Sequence, residues 1–441
     1  MKKVLILAYD FPPYVSVGAL RPHNWFKYFN EFGIYPIVVT RQWNNLQGTS
    51  IDYVSESKSN KVIIEETEFG KIIQAPFKPH LGNKLLLRFG ENKFVLLRRL
   101  ITAFFELMQF ISPIGPKYSL FKTADQFLKT NKVDLIIATG DPFILFKYAS
   151  DLSKKHKTKW VADYRDPWSY NLTWKKPMLK FFYRTLEFNI VNSSNEVITV
   201  SELLAAQIND LIKRKSPKLI QNGFDPEALA SAKDIKQNDD ILTISLAGTI
   251  YEWHPIISFL SVLNDLVHQY NLKLRINFYG INNEIIISDA LNSDFFHLQG
   301  SVNIYPKMKN SDIMMELAKS NLLLLFNYYS YMGTKIYEYI GLKRKILFCY
   351  SDEPKARELK DKFYVAHNFP NLSQSLQLEL IKSTDSGIIV KDEEHLKKVL
   401  LELNQEFLTH REISVNPKNY EIFSRKNQTE KLAEILKNVM G

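Results

Sequence analysis

The residues best suited to chemistry stand in one run, Gly333-Thr334-Lys335-Ile336-Tyr337-Glu338-Tyr339-Ile340-Gly341. A loop ending in Gly-Thr opens a helix here, so its first backbone N–H groups have no helical partners. Lys335 adds a point charge suited to phosphate oxygens. Glu338, three residues on, shares a helical face with Lys335. A carboxylate there can accept hydrogen bonds from the vicinal hydroxyls of a ribose; the same two residues would also serve as a surface ion pair. A second run, Gly248-Thr249-Ile250-Tyr251-Glu252-Trp253-His254-Pro255, follows a buried strand. Pro255 suits the first position of a helix, which aims the helix amino end back at the loop. A phosphate could sit there with His254 donating to it, or His254 could be a solvated loop residue.

A third cluster is Asp163-Tyr164-Arg165-Asp166-Pro167-Trp168, at the carboxyl end of a strand. Two carboxylates, a guanidinium and an aromatic pair can bind sugar hydroxyls and a phosphate together. The competing reading is a structural Asp–Arg pair with Asp166 capping a helix before Pro167. The loop Asp10 to Arg21 follows the first strand and lacks Gly-x-Gly-x-x-Gly, which argues against an NAD or FAD dehydrogenase. Its Gly18 would let backbone approach an anionic ligand, or is a plain turn glycine. Gln221-Asn222-Gly223-Phe224-Asp225-Pro226 reads as a turn.

The elements that position these runs alternate strand and helix. Strands are expected at Val4–Ala8, Pro36–Thr40, Val133–Ala138, Lys159–Ala162, Glu196–Val200 and Lys218–Gln221, with helices at Pro22–Phe32, Phe143–His156 and Ser201–Lys213. A second series has strands at Ile241–Leu246, Leu274–Tyr279, Phe295–Gln299, Asn321–Phe326, Lys345–Tyr350 and Gly387–Lys391. Its helices are Pro255–Tyr270, Asp312–Lys319, Thr334–Gly341 and His395–Phe407, and a last helix, Asn427–Met440, follows both series. This alternation predicts α/β architecture: two Rossmann-like domains facing across a cleft. The expected domains are residues 1–225 and 241–420, joined by a polar linker, 226–240. Residues 421–441 would carry a helix back to the first domain.

Composition is ordinary for a globular chain of 441 residues, with 45% hydrophobic and 24% charged residues. A net charge of +10 favours an anionic partner: a phosphate ligand, an anionic membrane face or nucleic acid. One cysteine, Cys349, excludes an internal disulfide and suits a reducing compartment. Only five apolar residues follow Met1-Lys2-Lys3, so no secretory signal is expected, and no charge-free run approaches the ~20 residues of a spanning helix. Cytoplasmic location is the expectation. No paired Asp-x-Asp at a strand end and no His/Cys cluster has metal-ligand spacing, so no metal or other cofactor is expected.

Taken together, in order and spacing, these runs resemble family-four retaining glycosyltransferases of the GT-B fold. The resemblance spans Phe11-Pro12-Pro13 to Arg21, Asp163 to Trp168, Val197 to Glu202, Gln221 to Asp225, Gly248-Thr249 and Thr334 to Tyr339. The Asp-x-Arg-Asp-Pro-Trp form is similar to the branch that serves bacterial surface-polysaccharide assembly. The resemblance implies a hexosyl or related glycosyl transferase, with a nucleotide-diphosphate-sugar in the second domain and a glycan or lipid-linked acceptor in the first. It makes the nucleotide-sugar a substrate, with no metal. It points to Asp163, Arg165 and Asp166 as catalytic, and to Gly18, Gly248, Thr249, His254, Thr334, Lys335 and Glu338 as donor-binding. The first glutamate of the family's Glu-x7-Glu motif falls on Ser330, and Thr139-Gly140-Asp141-Pro142 stands where the family has a histidine. Alternative readings are a GT-B nucleotide-sugar epimerase or hydrolase, or a non-catalytic nucleotide-sugar-binding partner.

Between Lys78 and Lys122 lie eight Lys/Arg and two Glu. Phe94, Leu97, Ile101, Phe104, Met108 and Ile111 make an apolar stripe, against a narrow polar one of Arg98, Thr102, Glu106 and Gln109. Such a helix is either packed on the sheet or seated at a membrane interface. Peripheral contact with the inner face of an anionic membrane is therefore an expectation; nucleic acid is not, since no recognised motif for it is present.

Overall fold

The computed structural model describes residues 1–44, 49–171, 177–282, 284–363, 369 and 372–441. They form two compact units, Met1–Gln221 with Gln428–Gly441, and Asn222–Asn427. The first unit is built on β1 (Lys2–Leu7), β2 (Ile34–Arg41), β3 (Ile63–Glu66), β4 (Lys71–Ala75), β5 (Leu135–Gly140), β6 (Lys159–Tyr164), β7 (Glu196–Thr199) and β8 (Lys218–Leu219). Their order is β3-β4-β2-β1-β5-β6-β7-β8, parallel throughout except for β3 against β4. β5 is buried at every position and β1 at its last four, as its Val, Leu and Ile run demands when helices cover both faces. The chain reverses direction across the sheet between β1 and β5, which pair Val4 with Leu135. Such a switch point leaves a recess beyond the strand ends.

The second sheet runs β11-β10-β9-β12-β13-β14, all parallel. Its strands are β9 (Leu242–Ala247), β10 (Leu274–Tyr279), β11 (Val302–Tyr305), β12 (Leu322–Phe326), β13 (Lys345–Cys349) and β14 (Gly387–Ile389). Here the switch lies between β9 and β12, so the loops that begin at Gly248 and Asn327 leave the sheet side by side. Each sheet has an apolar cluster on both faces. The terminal helix Arg425–Met440 places Leu432, Ala433 and Leu436 in the cluster that holds Val4, Ile6 and Trp25 of the first unit.

Four local expectations change. The first helix starts at Val17, not Pro22: Ser16 caps it by accepting from the Ala19 N–H at 3.1 Å, and Pro22 stands inside the helix. The strand expected at Phe295–Gln299 is a single 3-10 turn, Phe296–Leu298. Gly300 then reverses the chain with φ of 82°, and the strand forms at β11. β3 and β4 were not expected; β3 is an exposed edge strand whose Ile63-Ile64-Glu65-Glu66 lacks a buried face to pattern it. Residues 226–240 carry the helix Pro226–Ala230, and Ala232 enters the core of the second unit.

Candidate active site

In the second unit, the helix Lys335–Leu342 starts at the carboxyl end of the switch point. Thr334 sits at its cap position with no side-chain cap bond, so the first amides are not consumed by a side chain. Lys335 Nζ lies 3.5 Å from Glu338 Oε2. Glu338 is buried, and that oxygen has no hydrogen-bond partner. A buried carboxylate oxygen left so is costly, and a ligand hydroxyl would relieve it. Gly248 adopts φ of 93°, and a Cβ on it would lie 3.0 Å from Lys335 Cε. The left-handed backbone favours glycine there, and the lysine stem approaches it closely. The Tyr339 hydroxyl accepts the Ala247 N–H at 3.0 Å and so ties the Gly248 loop to the same helix. Gly248, Lys335 and Glu338 thus come together; Thr249 is exposed beside them.

His254 does not join as a cation. Its Nδ1 accepts the Tyr251 N–H at 3.3 Å, its ring faces Phe326 at 5.1 Å, and its Nε2 is buried without a partner. Burial pushes the imidazole down to about 3, so it is neutral near pH 7 and cannot offset a diphosphate charge. Sequence reasoning placed it correctly on the loop but could not see the packing. The rings of Tyr251, Trp253 and Tyr328 gather around it, with Tyr251 stacked on Trp253 at 4.6 Å and on Tyr328 at 5.3 Å. Ser330, where the family has a glutamate, donates to the Ser373 carbonyl at 3.3 Å.

In the first unit, Asp163 is wholly buried and wholly engaged. Arg21 Nε lies 3.1 Å from both of its oxygens, Arg21 Nη2 lies 2.8 Å from Oδ1, and the Thr139 hydroxyl donates to Oδ2 at 2.7 Å. Arg21 also donates to the Ile220 carbonyl at 2.7 Å. This arrangement makes Asp163 an anchor between the first helix, β5, β6 and the strand-end at Ile220. Tyr164 and Trp168 of the same motif are buried in the core, whereas Arg165 and Asp166 are not. Arg165 Nε donates to the Gly140 carbonyl at 3.1 Å, and its guanidinium lies over Gly18, where a Cβ would meet Nη1 at 2.3 Å. Asp166 is exposed. Desolvation, and then the charge of Asp163, push its carboxyl upward against the pull of Arg165. Asp141, after β5, is raised by desolvation and by Asp166. Asp10, after β1, accepts from Ser16 Oγ at 2.8 Å, while its Oδ1 is buried without a partner; desolvation raises it too. Asp10 and Asp141 were not singled out from sequence. Their position directly after the two strands that flank the switch point was the available signal.

Among the described residues, no group of three or more His, Cys, Asp or Glu side chains is placed to hold a metal ion. No family model matches the chain, and no curated protein matches it. Solved structures do. Sucrose-phosphate synthase from Thermosynechococcus elongatus aligns with a TM-score of 0.57 at 11% identity, over 100% of this chain and 96% of that one. A glycosyltransferase from Rickettsia africae gives 0.57 at 13%, over 100% and 98%. The chain has the GT-B fold. Anabaena HepE, solved in complex with UDP-glucose, aligns at 0.52 and 11% identity, over 99% and 100%. Each GT-B alignment runs along the full chain, so both units take part in the likeness.

Proposed function

We propose that this chain is a glycosyltransferase that moves a sugar, with retention, from a nucleotide-diphosphate-sugar to a hydroxyl of a glycan or lipid-linked acceptor in cell-surface polysaccharide synthesis. The observation that carries the reading is the second-unit cluster: a close-approach glycine, a lysine, a helix start that no side chain caps and a buried carboxylate with an oxygen that makes no hydrogen bond. These are the groups that a nucleoside diphosphate needs, with Lys335 and the amides for phosphate and Glu338 for the ribose hydroxyls. That HepE shares the fold and is solved with UDP-glucose supports a nucleotide-sugar as donor.

In this reading the anomeric carbon–oxygen bond to the diphosphate breaks, and a bond to the acceptor oxygen forms on the same face. The leaving phosphate oxygen takes the acceptor's proton. Lys335 and the helix amides stabilise the negative charge on the leaving group as it develops, which is where such groups contribute most. Arg165 and Asp166, with Asp10 and Asp141 around them, hold acceptor hydroxyls in the first unit. The chemistry requires no resident cofactor.

A thermal-shift panel of nucleotide-sugars identifies the donor, since a ligand that binds only the folded state raises the melting temperature. Calorimetry with Glu338→Gln then tests the ribose role. Loss of charge-assisted hydrogen bonds, each roughly 1.5–3 kcal/mol, lowers affinity at least about tenfold. An unchanged Kd sinks the assignment. Product analysis with and without acceptor separates transfer from epimerisation or hydrolysis of the donor alone.

A further inference from the structure

We propose that the helical hairpin Leu81–Phe89 and Val95–Met108 is a membrane-docking surface, built to lie in the headgroup layer of an anionic bilayer and to seat a lipid phosphate in the cavity at its base. The second helix of the hairpin has no buried residue. Leu96 is 73% exposed and Leu100 61%, with Leu97, Phe104 and, just past the helix, Ile111 also exposed. At 100° per residue these five fall within an arc of about 100°, one continuous apolar face. The contacts of the opposite, polar face are mostly local. Arg98 Nε donates to the Lys93 carbonyl at 2.9 Å, Gln109 donates to the Glu106 carboxylate at 2.6 Å, and Lys117 pairs with Glu106. Leu81 and Phe89 of the first helix add exposed apolar area, and Phe89 meets Phe94 edge to face at 5.1 Å to close the hairpin.

The charge around this face selects its occupant. Lys84, Arg88, Lys93 and Arg99 are exposed along the hairpin, and Glu91 is the one acidic residue between Lys78 and Phe105. A second copy would set this basic fringe against itself, whereas anionic lipid complements it. No helix among the described residues is long and apolar enough to cross a membrane. A helix of 14 residues spans about 21 Å, which suits lying in the interface. Beside the hairpin opens a cavity of about 360 Å³ lined by Lys78, His80, Phe105, Tyr118, Ser119 and Lys122. His80 stacks on Phe105 at 4.8 Å, and its Nδ1 accepts the Asn83 N–H at 3.3 Å, which leaves the proton on Nε2 as a donor. Two ammonium groups, an imidazole N–H and the Tyr118 hydroxyl suit a phosphate. Past the hairpin, Phe110 stacks on Trp168 at 5.6 Å inside the first-unit core and so anchors the end of the second helix. The inference rests on the proposed function only for its purpose, delivery of a lipid-linked acceptor; the docking itself involves no nucleotide-sugar.

Flotation of the full chain with vesicles of phosphatidylglycerol and phosphatidylcholine, against phosphatidylcholine alone, tests it. Binding to the anionic vesicles at low salt is expected, with loss of most of it at high salt. The triple variant Leu96→Asp, Leu100→Asp, Phe104→Asp should stay with the unbound protein while keeping its circular dichroism and its thermal shift with donor. Lys78→Glu with Lys122→Glu should weaken binding by on the order of 10-fold or more, from about fivefold per removed charge. Absence of flotation on anionic vesicles at low salt overturns the proposal, as does flotation that ignores the triple variant. A dimer in light scattering that the triple variant dissolves, without flotation, gives the face to a second copy and overturns it too. Unchanged binding by the lysine pair overturns the phosphate seat. Flotation without any donor shift in the thermal panel would leave docking standing and sink the glycosyltransferase reading instead.

Discussion

Replacing Asp163 with leucine should unfold the first unit more readily without touching a reacting atom. The side chains of Arg21 and Asp163 are 6% and 0% exposed, and their contacts are bidentate. Removing the carboxylate leaves a guanidinium buried with only the carbonyls of Ile220 and Gln221 to satisfy it. Breaking a buried pair from one side costs about 3–5 kcal/mol. For a unit of about 235 residues, 1 kcal/mol corresponds to roughly 2–4 °C, so the transition should fall by about 6–20 °C. The double variant Arg21→Met, Asp163→Leu removes both charges and should recover part of the loss. It still leaves the Thr139 hydroxyl and the Ile220 carbonyl unpaired, at about 1–3 kcal/mol each. Differential scanning calorimetry reads this directly, provided that the two units are fitted as separate transitions; that of the second unit should not move. If Asp163→Leu instead leaves the first transition within about 2 °C of wild type and abolishes transfer, Asp163 meets substrate and the anchoring argument is wrong.

Gly248→Ala places a Cβ 3.0 Å from Lys335 Cε at a backbone φ of 93°, so strain of about 1–3 kcal/mol should weaken donor binding about fivefold or more; an unaltered calorimetric Kd would contradict the close approach. His254 holds its proton less well folded, at about 3, than unfolded, near 6.5, so protonation favours the unfolded chain and stability falls as pH drops below 6.5. At pH 5 the loss is about 2 kcal/mol, and His254→Asn should flatten that limb in urea titrations; an identical acid limb in the variant refutes the burial argument. Transfer should persist within about twofold in EDTA, and a loss restored by Mg²⁺ or Mn²⁺ would overturn charge neutralisation by Lys335 and amides alone.

What the sequence shows of this molecule follows from the range of each signal. Strands such as Leu274–Tyr279 and Leu322–Phe326 are buried on both faces, and a run of apolar residues declares them locally. The edge strand Ile63–Glu66 has no buried face and carries no such run. Lys335 and Glu338 sit three residues apart on one helix, so their pairing is legible from spacing. The partner of Asp163 lies 142 residues away, and nothing local distinguishes an anchored carboxylate from a reactive one. His254 shows the same limit: its loop was legible, and its neutrality came from Phe326 and the surrounding rings. In the hairpin, period 3.6 revealed an apolar stripe, but periodicity has no inside or outside. The exposure of Leu96, Leu100 and Phe104 decides which way the stripe faces.

The terminal helix carries a consequence for biosynthesis. Leu432, Ala433 and Leu436 fill the core beside Val4, Ile6 and Trp25, yet the roughly 200 residues of the second unit are translated between the two halves of that core. At ~5–20 residues per second, the ribosome needs about 10–40 s to cover that distance. During this interval the β1 layer waits with the part of one apolar face beneath Leu432, Ala433 and Leu436 uncovered, while the second unit, continuous in sequence, has all its strands and can close. The part of the protein that begins at residue 1 is therefore the part completed last, and its nascent form is a client for whatever shields apolar surface at the exit tunnel.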